Sequence, residues 1–227
     1  MEDGRIVPLV QLKSLVATRE RPFSGTVETD KLKSCRALFK SSIAISKVPL
    51  HLPLPFAVDC SLLVLCGKSP GGNETAKTIK TSNALKLPDN GEFTLSLHSE
   101  VDKAVMQGSF QVHSYMNSLS TNQFGRLLIW SPLLTSTHDV VSHNFCKLPI
   151  GTVCVADAQT KGRGRSKNVL ESPLGCLMFS FTLQMEDGRI VPLVQYVVSL
   201  AITEAIKDIC DKNGLPFWKR RYSGSLF

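Results

Sequence analysis

The chain has 227 residues, 43% of them hydrophobic and 20% charged, a balance that excludes a disordered polyelectrolyte and a membrane-embedded protein and fits one globular domain plus additional chain. Its 26 Lys and Arg against 19 Asp and Glu leave a formal charge of +7, which favours an anionic partner: a phosphate, a nucleic acid or an acidic membrane. Every apolar run is interrupted before the roughly 18 to 20 residues that cross a bilayer. Seven cysteines without a C-x-x-C pair read as free, mostly buried thiols in a reducing compartment.

The first eleven residues, MEDGRIVPLVQ, recur letter for letter at Met185 to Gln195. A repeat architecture shows several drifting copies at a period of about 20 to 50 residues, so this single perfect copy reads as a splice or duplication product. From Leu12 to Pro55 the chain is Ser-rich and basic, with eight Lys or Arg against three acids, and turns Pro-rich at Pro49, Pro53 and Pro55. Without a helical or alternating period it reads as a tail or linker. Basic, acid-poor leaders include organelle transit peptides, against which stand Glu20, Glu28 and Asp30.

Ser61 to Cys66 is a short apolar run suited to a buried strand and is ended by Gly67 and Pro70-Gly71-Gly72. Phe93 to Leu97 alternates as a half-buried strand should. Phe124 to Trp130 is a further strand, and Thr135-Ser136-Thr137 supplies N-cap residues to a helix over His138 to Asn144. Gly151 to Ala156 and Cys176 to Leu183 are the strongest strand signals. Tyr196 to Cys210 is the clearest helix: Val194, Val197, Val198, Ala201, Ala205, Ile206 and Ile209 share a face, and Asn213-Gly214 stops it. Strands mixed with helices indicate an α/β or α+β domain.

Gly67-Lys68-Ser69 suggests a phosphate loop, but position 62, where the motif needs Gly, is Leu. Asn73-Glu74-Thr75 matches a glycosylation sequon and, with no secretory signal, reads as a surface turn. Lys161-Gly162-Arg163-Gly164-Arg165-Ser166-Lys167 is sharper, with four cations alternating with two glycines after a strand. Glycine lets backbone amides approach a ligand, and arginine offers bidentate geometry to phosphate or carboxylate. Taken alone, the loop fits an anion clamp, an RNA contact or a solvated turn.

Its neighbours single out one reading. Ser136-Thr137-His138-Asp139, then Gln159-x-x-Gly162-Arg163-Gly164-Arg165, then Glu171-Ser172-Pro173-x-Gly175, closely resemble the catalytic domain of biotin-protein ligases, or holocarboxylase synthetases, in their plant form. The resemblance extends, with gaps, from Ser61-Leu62-Leu63-Val64-Leu65-Cys66-Gly67-Lys68 through Phe124-Gly125-Arg126 and Trp130-Ser131-Pro132 to Asn213-Gly214-Leu215-Pro216. It implies an α/β (α+β) domain, a mixed sheet with flanking helices of the class II aminoacyl-tRNA synthetase-like biotin/lipoate ligase type, here incomplete. Residues 1–57 are expected to be a variable or disordered leader, 58–117 an extension with short strands, 118–217 the partial catalytic domain and 218–227 a divergent basic tail.

By the same resemblance, ATP and biotin would form biotinyl-5′-AMP, with Mg2+ accompanying ATP, and biotin would pass to a lysine of a carboxylase carrier domain. No structural metal, DNA or membrane is expected. Ser136, Thr137, His138, Gln159, Gly162, Arg163, Gly164 and Arg165 would hold biotin. Arg163 and Arg165 would be catalytic, and Arg165, Ser166, Lys167, Asn168 and Leu170 would meet the nucleotide. Two departures stand out. Leu170 occupies a position where the family carries Trp, and after Pro216 the family's K-W-P-N-D strand is replaced by Phe217-Trp218-Lys219-Arg220-Arg221, so Lys219 inherits no role. An impaired enzyme with an exposed sheet edge beyond Leu183 and marginal stability is expected. The other class of function open to the chain is a regulatory or RNA-interacting product. The location expected is cytoplasmic, or plastid or mitochondrial if the leader is a transit peptide.

Overall fold

The computed structural model describes residues 10–12, 15–18, 61–88, 92–102, 110–163, 169–174, 176–185, 191–212 and 214. In chain order the elements are β1 (Val10–Leu12), β2 (Leu15–Thr18), β3 (Ser61–Gly67), α1 (Pro70–Ser82), β4 (Phe93–Leu97), α2 (Val112–Ser118), β5 (Leu127–Leu134), α3 (Thr137–His143), β6 (Val153–Arg163), β7 (Val169–Ser172), β8 (Leu177–Met185) and α4 (Val191–Lys212). The mixed sheet expected from sequence is present. Its order is β1-β8-β6-β5-β3-β4, with β2 also on β8 and β7 also on β6.

β5 and β6 run parallel, with Ile129 opposite Cys154 and Leu134 opposite Gln159. β8 is antiparallel to β6, with Cys154 opposite Ser180. Because successive strand residues face opposite sides, the central strands feed two cores. Leu63, Leu65, Leu127, Ile129, Cys154 and Ala156 join Ala76 and Ile79 of α1 and Val140 and Val141 of α3. Val64, Leu128, Trp130, Val153, Val155, Phe179 and Phe181 join α2 through Val112, Tyr115 and Met116, and α4 through Val194, Val198, Ala201, Ile202 and Ala205. A sheet covered on both faces accounts for the near-continuous apolar text of β5 and β6.

Several boundaries differ from the sequence reading. Pro70-Gly71-Gly72 does not only end a strand. It opens α1, with Pro in the first turn, where its missing N–H costs nothing, and Ser69 Oγ accepting from Gly72 N at 3.3 Å. The sequon asparagine therefore lies in a helix, not a turn, and Asn73 Oδ1 accepts from Gly67 N at 3.1 Å. The short α2 carried no separate signal. β5 begins at Leu127, after a turn at Phe124 and Gly125, and continues through Pro132 to Leu134. β6 runs on to Arg163, into the stretch read as a loop, and pairs there with β7. α4 starts at Val191, not Tyr196, and extends to Lys212.

Within the stretch read as a leader, β1 and β2 pair in parallel with β8, Val10 opposite Leu177 and Leu15 opposite Thr182. β8 is thus bordered on both sides, and the open edge expected beyond Leu183 is filled by these strands.

Candidate functional site

β5 and β6 run side by side and deliver their carboxyl ends to the same place. After Leu134 the chain turns into α3 through Thr135 and Ser136, and Lys161 N donates to Thr135 O at 2.9 Å, holding that turn against β6. Ser136 has the extended backbone of an N-cap, yet its hydroxyl makes no cap hydrogen bond. The first helical N–H is satisfied from elsewhere: Thr137 N donates to Gln159 Oε1 at 2.7 Å. The hydroxyl of Thr137 lies 3.0 Å from that of Ser180, in the middle of β8.

The outcome is a polar cluster inside an otherwise apolar sandwich. Ser136, Thr137, Gln159 and Ser180 are all less than 5% exposed. Such groups are tolerated only when hydrogen-bonded. His138 follows Thr137 in α3 and is half-buried. Gly162 is buried and lies opposite Leu170 across the β6–β7 pair, and Arg163 lies opposite Val169. Arg163 and Leu170 are described by their backbone alone; Gly164, Arg165, Ser166, Lys167 and Asn168 lie outside the described residues, as do Phe217 to Phe227. The structure therefore brings Thr137 and Gln159 together directly. It carries the start of the basic stretch, Lys161, along the same strand two residues beyond Gln159.

Two buried polar residues were not anticipated. Ser180 interrupts the strongest apolar run, L-M-F-S-F, and is fully buried. Asp157, also in β6, accepts from Phe110 N at 2.9 Å through Oδ1 and from Trp130 Nε1 at 3.2 Å through Oδ2. Burial pushes the Asp157 carboxyl up to about 7, against the lowering exerted by the Phe110 and Trp130 donors. In both cases the available signal was a lone polar letter inside an apolar strand, which costs stability unless it is paired. Among the described cysteines Cys154 is buried, Cys66, Cys176 and Cys210 are half-buried and Cys146 is exposed, none of them in a disulfide. Among the described residues no helix is long and apolar enough to cross a membrane.

A mixed sheet clad by helices on both faces, with a buried hydroxyl and amide cluster leading to Gly162 and Arg163 at the end of β6, places the chain in the α/β class. Residues 130–226 match the biotin/lipoate A/B protein ligase family, and the chain belongs to that family through a plant-type catalytic region. It is 57% identical over 188 residues to "Biotin--protein ligase 1, chloroplastic" of Arabidopsis thaliana, covering 82% of this chain and 50% of the relative. It is 62% identical over 160 residues to "Biotin--protein ligase 2" of the same plant, covering 70% and 48%. A human biotin--protein ligase is 31% identical over 106 residues, 44% of this chain and 15% of the relative. The chain thus spans about half the length of the two plant relatives. No solved structure matches it.

Proposed function

We propose that this chain binds biotin and ATP and takes part in biotin-protein ligation, forming biotinyl-5′-AMP and passing biotin to a lysine of a carboxylase carrier domain. The observation that carries the reading is the junction of Thr137 with Gln159 beside the Gly162 and Arg163 end of β6, in a chain whose relatives bear the name biotin--protein ligase.

In this reading Ser136, Thr137 and Gln159 hold the ring end of biotin, with His138 and Gly162 beside them. The biotin carboxylate attacks the α-phosphate of ATP, the bond to the β-phosphate oxygen breaks and pyrophosphate leaves. A lysine amine then attacks the acyl carbonyl and AMP leaves. Both reactants of the first step are anions, so cations near the meeting point lower its barrier. Arg163 and Arg165 fill that role, with Gly164 allowing close backbone approach. Ser166, Lys167, Asn168 and Leu170 meet the nucleotide, and Mg2+ arrives with ATP. Leu170 supplies apolar contact without a ring face, and base stacking on aromatic side chains contributes about 1–3 kcal/mol per base, so nucleotide binding is weaker than a Trp at that position would give. A relative named chloroplastic supports a plastid location.

Calorimetric titration of the full chain with biotinyl-5′-AMP tests the reading. Saturable binding is expected, and Arg163→Ala should weaken it by at least about tenfold, the effect of one charge-assisted hydrogen bond of roughly 1.5–3 kcal/mol. Absence of binding, or equal heats for the two proteins, would overturn it.

A further inference from the structure

We propose that Ser180 is a positioning residue that fixes the direction of the Thr137 hydroxyl, so that the cluster presents hydrogen-bond donors and reads an acceptor oxygen on its ligand. The inference rests on the biotin-binding reading above and adds to it a residue and a polarity.

The polarity follows from hydrogen accounting. A backbone N–H can only donate, so the Gln159 atom facing Thr137 N at 2.7 Å is the carbonyl oxygen. The Gln159 amide nitrogen, which carries two hydrogens, is thereby turned to the other side. Ser180 is fully buried, and its hydroxyl has one hydrogen-bond partner among the described residues, Thr137 Oγ1 at 3.0 Å. Either hydroxyl of the free pair can donate; with a ligand on Thr137, donation by Ser180 leaves no buried O–H without an acceptor, whereas the reverse strands the Ser180 hydrogen, so in the bound state Ser180 donates and Thr137 accepts. The Thr137 hydroxyl hydrogen is then directed away from Ser180. Gln159 Nε2 and Thr137 Oγ1 become two donors set by partners the ligand does not touch, which suits the carbonyl oxygen of a cyclic urea or amide.

Ser180 also stands where a hydroxyl has no packing advantage. Its neighbours in the strand, Phe179 and Phe181, are core residues, and Ala would fill the position with no loss of apolar contact. Without Ser180, Thr137 Oγ1 would lose its fixed donor and would present hydrogen or lone pair equally.

The test is a double-mutant cycle on the full chain, read by calorimetric titration with biotinyl-5′-AMP. Ser180→Ala is expected to weaken binding about tenfold, the effect of one oriented hydrogen bond, and to lower the thermal midpoint slightly, because the Thr137 hydroxyl loses its partner. In a Thr137→Val background the same substitution should change affinity less than about twofold, because Ser180 acts through a hydroxyl that is no longer there. Ser180→Cys, nearly isosteric and a weak donor, should fall between Ser and Ala and replaces Ser180→Ala should that variant not fold. Binding by Ser180→Ala equal to the parent overturns the inference while leaving biotin binding intact, and so does an equal loss in both backgrounds. Failure of the unsubstituted chain to bind overturns the functional reading and this inference with it.

Discussion

Replacing Asp157 by Asn should cost stability in acid and win it back relative to the parent as pH rises through neutrality. Asp157 sits between two donors, the Phe110 backbone N–H and the Trp130 indole N–H, an arrangement that favours the ionised carboxylate. Desolvation outweighs them and raises the group from 3.8 to about 7. Between about pH 4 and pH 7 the unfolded chain therefore holds this carboxyl ionised while the folded chain holds it protonated, and folding takes up a proton. Stability falls as pH rises through that window and stays low above it. Three pH units at 1.36 kcal/mol each give a deficit of about 4 kcal/mol at pH 8. Asn has the shape of the protonated acid and no charge, so Asp157→Asn removes the pH-dependent deficit; its amide nitrogen cannot accept, so one of the two donors is left unpaired at a pH-independent cost of about 1–3 kcal/mol.

Urea unfolding of both proteins at half-unit steps from pH 4.5 to pH 8, followed by tryptophan fluorescence with Trp130 as a reporter at the site itself, would measure this. The stability difference should grow by about 1.4 kcal/mol per pH unit and level off above pH 7. A difference that stays constant over the whole range would refute the reasoning, because it would mean that burial does not set the protonation of Asp157.

Three further outcomes are expected. Gly67→Ala would place a Cβ 2.2 Å from the backbone carbon of Gly72 and 2.3 Å from Asn73 N, whereas a Cβ on Gly71 would meet nothing within 4 Å. The first should cost about 3 kcal/mol or more in urea unfolding, and Gly71→Ala, in the first turn of α1, should cost nothing. Asn144 accepts from Lys86 N at 2.7 Å and donates to Lys86 O at 2.8 Å and Val140 O at 2.7 Å. Asn144→Ala should lose about 2–3 kcal/mol, and hydrogen exchange at the Lys86 amide should accelerate. Burial raises the thiol of Cys66 to about 11 and that of Cys154 further still, while Cys146 is exposed. Among the described cysteines, native-state alkylation read by mass spectrometry should label Cys146 first and Cys154 last; early labelling of Cys154 would contradict its burial.

The central strands were legible because their apolar runs are short, bounded by turn residues and serve two cores at once. β3, β4 and β8 lie close to where their letters suggest, whereas β6 runs seven residues past the stretch read as a strand. α1 was missed because Pro70-Gly71-Gly72 is a chain-breaking signal inside a helix and a permissible one in its first turn, and only the Ser69 cap distinguishes the two. Thr137 and Gln159 were legible through a family pattern, not through chemistry, since a Ser-Thr pair before a helix is ordinarily a cap. The hydrogen bond from Thr137 N joins the two: the amide of Gln159 does the capping, and the Ser136 hydroxyl takes no part in it. Ser180 and Asp157 were not legible because their partners, Thr137 43 residues away and Phe110 47 residues away, become neighbours only through the sheet.

The duplicated segment shows how far context overrides local text. Val10 and Gln11 belong to strand β1, yet Val194 and Gln195, the same letters at the same positions of the copy, are helical in α4. The eleven residues do not differ, so the cause lies outside them. Copy two is followed by a long run containing Leu200, Ala201, Glu204, Ala205 and Lys207, good helix formers whose apolar face packs on Phe179 and Phe181. Starting a helix is costly, whereas extending one adds a hydrogen bond for each residue ordered, so Val191 to Gln195 join a helix nucleated beyond them. Copy one is followed by Leu15-Val16-Ala17-Thr18, too short a stretch for such a nucleus, and it meets the edge of β8 instead, where pairing satisfies its backbone. Exchanging the segments after the two copies, Leu12–Thr18 for Tyr196–Ile202, should therefore carry the strand or helix state with the following text and not with the eleven letters.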